Sequence, residues 1–128
     1  MKGGGPESNN FIPGLSAGAD LSGAQFIFVK YDTDPNKVVK CGAGETPCGV
    51  LWNLPELGDT ATVHSLDGSF GPLAVDGSTI LVNSVLKSDS NGKGTVTTTD
   101  NDLVAARAQE ASSAAREIIV QYIPAHRY

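Results

Sequence analysis

The stretch Val85-Leu86-Lys87-Ser88-Asp89-Ser90-Asn91-Gly92-Lys93-Gly94-Thr95-Val96-Thr97-Thr98-Thr99 decides the fold class. Two short runs of apolar and β-branched residues flank a polar pentad. Within that pentad, Asn91-Gly92 tolerates the positive φ that a tight strand reversal requires. A β-hairpin is expected here, with strands over 85–87 and 95–99. The same grammar extends outward on both sides. Gln25–Tyr31 is dense in aromatic and β-branched residues, as suits a strand. Asp32–Asn36 is a turn cluster, followed by a short strand at Val38–Cys41 and, after a Gly-rich link, another at Cys48–Asn53. Leu54–Asp59 breaks the pattern. Thr60–Leu66 alternates, with Ala61, Val63 and Ser65 on one face and His64 out of phase with Val63, which predicts an exposed or half-buried histidine. Asp67-Gly68 then occupies a hairpin position before Phe70–Val75. Further units are expected at Thr79–Val82 and at Ile118–Ile123, the last ended by Pro124.

Residues 102–117 carry two readings. Asp102–Ala111 has high helix propensity, with Asp100 or Asp102 as a cap, which predicts one helix to about Arg116. The other reading is a strand from about Leu103 to Gln109 and a short turn before the last strand, because sheet context overrides propensity.

A chain of 128 residues suits one compact domain. Its low charged fraction and abundant Gly, Ser, Thr, Asn and Asp favour many short strands joined by turns. The formal net charge is -5, and the basic residues are scattered singly. That pattern lacks the footprint of a nucleic-acid binder, and an acidic balance would repel packaged DNA. No apolar run approaches the roughly 20 residues needed to span a bilayer. The opening decapeptide Met1–Asn10 has no apolar signal core, so synthesis in a cytosol is expected. Cys41 and Cys48 bracket a six-residue link, and a hairpin there permits a disulfide in some registers. A reducing compartment makes free thiols the default, and no second ligand pair follows at zinc-site spacing.

The residues offer no catalytic constellation. His64 and His126 are far apart in sequence, and neither a nucleophile elbow, a phosphate loop nor a His-Glu-x-x-His pair occurs. The turn aspartates, such as Asp32, Asp34 and Asp89, shape turns and lack EF-hand spacing. No catalytic residue, metal site or cofactor is assigned. Binding candidates lie elsewhere. Residues 1–20 read as an extended arm rich in Gly, Pro and Asn, interrupted by Phe11, Ile12 and Leu15 around Pro13. These apolar residues either fold back on their own core or anchor the arm on a neighbouring subunit. Trp52, the single tryptophan, is a core residue by its place in a strand beside Val50, or else an interface anchor. The end of the chain, with Tyr122, Arg127 and Tyr128, is aromatic and basic beside an acidic body, and either docks on a neighbour or hangs loose.

The order of these segments resembles a family of small bacteriophage capsid decoration (cement) proteins over roughly residues 21–123. Three pieces carry the resemblance. The first is Cys48-Gly49-Val50-Leu51-Trp52-Asn53-Leu54-Pro55, then Gly58-Asp59 and an alternating strand ending at Gly68. The second is Leu86–Lys93 with its Asp-x-x-Gly-basic hairpin. The third is Ala106–Glu117 leading into Ile118-Ile119-Val120. In the third piece Ala108-Gln109-Glu110 takes the place of a small-residue strand, and Ala115-Arg116 replaces an expected glycine. The resemblance thus favours strand over residues 103–109.

What the resemblance implies is a mainly β, single-domain sandwich or barrel-like fold with at most one short helix near 103–116. It has an arm (1–20), a decoration domain (21–123) and a tail (124–128). It also implies a virion protein on the outer capsid surface. Such a protein binds the phage major capsid protein, associates with itself as a homotrimer, and stabilises the expanded head without nucleic acid, membrane or cofactor. Candidate contacts are Phe11, Ile12, Pro13, Leu15, Trp52, Tyr122, Arg127 and Tyr128. The rival reading is a virion-displayed carbohydrate-binding or adhesion domain. If the arm makes the contact, removal of residues 1–19 abolishes head binding and leaves the domain folded.

Overall fold

A computed structural model of the chain describes residues 11–23 and 25–128. Ten strands follow one another: β1 (Ser16–Ala17), β2 (Phe28–Tyr31), β3 (Lys37–Lys40), β4 (Gly49–Leu51), β5 (Val63–Ser65), β6 (Phe70–Val75), β7 (Val85–Ser88), β8 (Gly94–Val96), β9 (Leu103–Ala108) and β10 (Arg116–Arg127). The architecture is mainly β, and no helix occurs among the described residues. One sheet has the order β1-β3-β2-β4-β5. The other, β10-β6-β8-β7-β9, closes on itself as a small barrel.

The hairpin at the centre of the sequence forms as β7 against β8, with Leu86 opposite Val96 and Ser88 opposite Gly94. Its reversal is longer than the two-residue Asn-Gly turn. The Asp89 carboxylate accepts from the amides of Asn91 and Lys93, and the Asp89 amide donates to the Lys93 carbonyl at 2.8 Å. The positive φ falls on Gly92 alone, at 78°. Gly92 also lets this tip dock on the other sheet. Its carbonyl accepts from the Phe28 amide at 2.7 Å, and a Cβ there would stand 2.7 Å from the Phe28 carbonyl oxygen.

Residues 103–108 are strand, as the second reading of that segment has it. β9 is held between β7 and β10, and Val104, Ala105, Ala106 and Ala108 are buried. The alanines that favour a helix in isolation here keep side chains small where five strands close a narrow barrel.

Three expectations are corrected. Thr79–Val82 is not a strand; Ile80 makes a single bridge to Ser112. Asp67-Gly68 does not close a hairpin, because β5 and β6 belong to different sheets and the turn carries the chain across. β10 does not stop at Pro124 but runs to Arg127. Its pairing with β9 shifts between Tyr122 and His126, and such an irregularity accommodates a residue without an amide hydrogen. Most of the expected tail is therefore strand.

Of the arm, residues 1–10 lie outside the described residues, and the rest follows the reading in which its apolar residues fold back on their own core. From Phe11 to Ala17 the chain is built into the first sheet. β1 pairs in parallel with β3, while Phe11 bridges His64 and Ser16 bridges Thr60. The Ile12 amide donates to Val63 at 2.9 Å, Ala61 to Leu15 at 3.0 Å and Ala17 to Asp59 at 2.8 Å. Residues 11–17 thus connect the β3 edge to the chain leading into β5, so the sheet curls and is all but closed. Leu15, Ala17 and Leu21 fill its interior with Ile27, Val29, Val38, Leu51, Ala61 and Val63.

A second core fills the barrel with Leu73, Val75, Ile80, Leu86, Ala105, Ala106, Ala108, Ile118, Val120 and Tyr122, and takes Phe28 and Val50 from the first sheet and Cys41 from just after β3. Tyr122 ties the two units. Its hydroxyl donates to the Pro72 carbonyl and accepts from the Trp52 indole N–H at 3.1 Å. Gly71 makes room for it, since a Cβ there would meet the Tyr122 hydroxyl at 2.6 Å. Phe26 adds a second tie. Its backbone is left-handed at φ 62°, a conformation that costs a bulky residue roughly 1–3 kcal/mol. Bonds on both sides hold it: its amide donates to Leu51, and its carbonyl accepts from Ala74, each at 2.7 Å.

Two outcomes follow from this packing. Leu15→Ala is expected to lower unfolding stability by about 2–5 kcal/mol, and a chain starting at Gly18 to lose its cooperative thermal transition. A truncated chain melting like the full one would contradict the built-in role of residues 11–17. For Tyr122, burial pushes the phenol up to about 12 from an ordinary 10, with the Trp52 hydrogen bond opposing. A folded value above the unfolded one means that the contribution is complete below pH 10 and is lost as pH rises through about 12. Tyr122→Phe is expected to cost about 1–3 kcal/mol at neutral pH and to flatten the alkaline fall in stability, as read by denaturant titration across that window.

Candidate functional site

Where the N-terminal segment crosses β5, five rings gather. Phe11 stands edge-on to Trp52 and to His64, with centroids 5.2 Å away in each case. Trp52 lies 5.2 Å from His64 and 6.0 Å from Phe26, and His64 lies 4.9 Å from Tyr122. Each ring arrives from a different place: Phe11 from its bridge, Phe26 from the chain just before β2, Trp52 from the residue after β4, His64 from β5 and Tyr122 from β10. His64 is buried at 5 % exposure, more than its strand phase predicted. Val63 faces the first core while His64 faces the rings between the two units, so both faces of β5 are covered. The His64 Nδ1 sits 2.8 Å from the Ser65 carbonyl, a partner that assigns the proton to that nitrogen. Chemically this cluster packs and connects.

The candidate contact residues separate into two places. Phe11 and Pro13 are exposed, while Ile12 and Trp52 are half-buried. Leu15 and Tyr122 are corrected: both are buried, at 5 % and 0 % exposure, because Leu15 fills the first core and Tyr122 the second. Trp52 packs on the barrel core and also keeps part of its surface outside. Arg127 and Tyr128 sit at the 101–102 turn. The Arg127 guanidinium donates to the Asn101 carbonyl at 2.8 Å. The Tyr128 amide donates to Asp102, also at 2.8 Å, so the end is pinned while its ring stays exposed.

Exposed apolar residues that the sequence reading passed over form two further sites. On the outer face of β6 and β10, Phe70 and Ile119 are 59 % and 43 % exposed, and Ile119 stands opposite Pro72. The signal was present in Ile118-Ile119-Val120, since period-two alternation turns the middle residue outward. Leu81 and Val82, at 63 % and 55 % exposure, cap a rigid turn. Buried Ile80 exchanges two backbone hydrogen bonds with Ser112, and the Asn83 amide donates to Ala108 at 2.8 Å. Ser84 closes the turn: its hydroxyl accepts from the Leu81 amide at 3.1 Å, and its amide donates to the Leu81 carbonyl at 3.0 Å. Asn83 takes the left-handed backbone, φ 74°, that this reversal needs.

Electrostatics at the surface is local. Lys30 pairs with Glu45, and Lys87 with Asp102 at 2.8 Å. The Lys87 ammonium and the Thr97 hydroxyl hold the Asp102 carboxyl below the usual range. Cys41 and Cys48 are free thiols. Burial pushes both up, Cys48 to about 12, so they are protonated at neutral pH. Among the described residues no group of three or more His, Cys, Asp or Glu is gathered as a metal site.

No family model matches the chain, and no curated protein matches it. Among solved structures it is similar to the N base of the head fiber gp8.5 of bacteriophage phi29. The TM-score is 0.68 at 15 % sequence identity, covering 84 % of this chain and 89 % of that one. At that identity the likeness is one of fold.

Proposed function

We propose that this chain is a structural virion protein that binds the outer surface of a phage capsid and stabilises the expanded head by bridging adjacent major capsid subunits. The observation that carries the reading is the fold shared with a phage head fiber base over most of both chains. The resemblance of three ordered segments to decoration proteins points the same way. The protein acts by binding alone, without catalysis or cofactor, and associates with copies of itself as a homotrimer. Many modest contacts, repeated over a shell, add through multivalency.

The geometry favours particular contact residues. Leu81 and Val82 project from a turn fixed by backbone bonds, and Phe70 and Ile119 project from paired strands. Apolar side chains on rigid supports lose little conformational entropy on docking. Phe11, Pro13 and Tyr128 supply further exposed surface from segments that are themselves tied down.

Co-sedimentation with expanded heads that lack the protein tests this. Wild type is expected to pellet with the heads. Leu81→Asp/Val82→Asp or Phe70→Ser/Ile119→Ser is expected to weaken binding about tenfold or more, as loss of interface anchors does. Their unfolding free energies should stay within about 0.5 kcal/mol of wild type, as for ordinary surface changes. A wild-type protein that stays in the supernatant while binding glycans would replace this reading with an adhesion domain.

A further inference from the structure

At the seam between the two units an open groove of about 540 Å³ runs between Ser22, Gly23 and Gln25, the end of β3, the 91–93 tip and the start of β10. Its floor is apolar over the buried Ile27, Ala74 and Val75, and Leu54, 49 % exposed, adds open apolar surface to its wall. Its rim carries Lys40, Lys93 and Arg116 against one carboxylate, Glu117. The chain as a whole has 9 basic and 14 acidic residues, so the local balance is reversed.

None of the three rim cations takes part in the two ion pairs of the described residues. Arg116 is held in place by neutral acceptors: its guanidinium donates to the Ala111 carbonyl at 3.1 Å and to the Ser112 hydroxyl at 3.2 Å. These bonds orient the group and leave its charge uncompensated. Asp76 lies within electrostatic reach of Lys93, while its carboxylate accepts from the Ser78 amide and hydroxyl. With Asp76 counted, the groove still has a net positive charge on a chain of net charge -5.

We propose that this groove binds an extended, acidic segment of a protein partner. Apolar side chains of the segment pack against Leu54 above that floor, and its carboxylates meet Lys40, Lys93 and Arg116. The charge complementarity selects an acidic occupant, and the arginine offers a carboxylate a forked, charge-assisted contact. A polynucleotide fits less well. It needs a basic track along its backbone, whereas the chain as a whole carries a net charge of -5 and the floor between the cations is apolar. The proposal does not depend on which assembly carries the chain, so it stands or falls separately from head binding.

The test uses the isotope-labelled full chain, titrated at low salt with a blocked hexapeptide of alternating Glu and Leu and followed by amide NMR shifts. Saturable shifts are expected at Gln25, Asn91–Lys93 and Ala115–Glu117, weakening as salt rises. Lys40→Gln/Lys93→Gln is expected to weaken binding about tenfold, the loss of two charge-assisted contacts. Lys40→Arg/Lys93→Arg should retain binding. Shifts that do not saturate, that spread to Lys37 and Arg107, or that survive the glutamine pair unchanged would overturn the proposal. Tighter binding at the same amides by a charge-matched single-stranded oligodeoxynucleotide would overturn it as well.

Discussion

A five-stranded sheet hides a core only if its edges are brought together, and here that task falls on residues 11–17. Paired with β3 on one side and with the chain before β5 on the other, this segment supplies backbone partners to both edges and two side chains, Leu15 and Ala17, to the interior. An unpaired edge is a site of aggregation as well as lost hydrogen bonds. The first core, the burial of His64 beneath Phe11 and the setting of Trp52 all depend on this one crossing. Through Trp52 the dependence reaches Tyr122 and the barrel.

One unit is a closed barrel and the other a curled sheet, and among the described residues the buried polar side chains are already engaged. The surfaces that remain are of two kinds. Bulky apolar residues stand on rigid supports at Leu81, Val82, Phe70 and Ile119, and a cationic groove follows the seam. Both suit binding to another macromolecule. Rigidity matters because a side chain already held by its backbone loses less entropy on docking.

Much of this was legible in the residues themselves. Turn chemistry at Asp89–Lys93 and the β-branched runs around it marked the hairpin, and the compositional case for a mainly β domain held. Other features were hidden for definable reasons. The alanines of Leu103–Ala108 favour helix locally, and only the narrow barrel makes small side chains the right choice for a strand. Phe11–Ala17 has the Pro, Gly and Asn neighbourhood of a loose arm; its long-range pairing with Asp59–Val63 and Lys37–Val38 has no local signature. Tyr122 looked like part of an aromatic tail, because nothing nearby shows that Gly71 leaves space for its ring. Leu81 and Val82 looked like half of a strand, whereas Ile80 alone is the anchor.

Native-state hydrogen exchange at the amides of Ile12, Ala17 and Ala61 tests the central dependence most directly. These donate to Val63, Asp59 and Leu15 across the crossing. If the segment closes the first unit, they exchange only through global unfolding, with the same free energy of opening as Val29 and Val63 in the core. Rapid exchange at all three, with Val29 and Val63 still fully protected, would contradict it and return residues 11–17 to the status of a detachable arm.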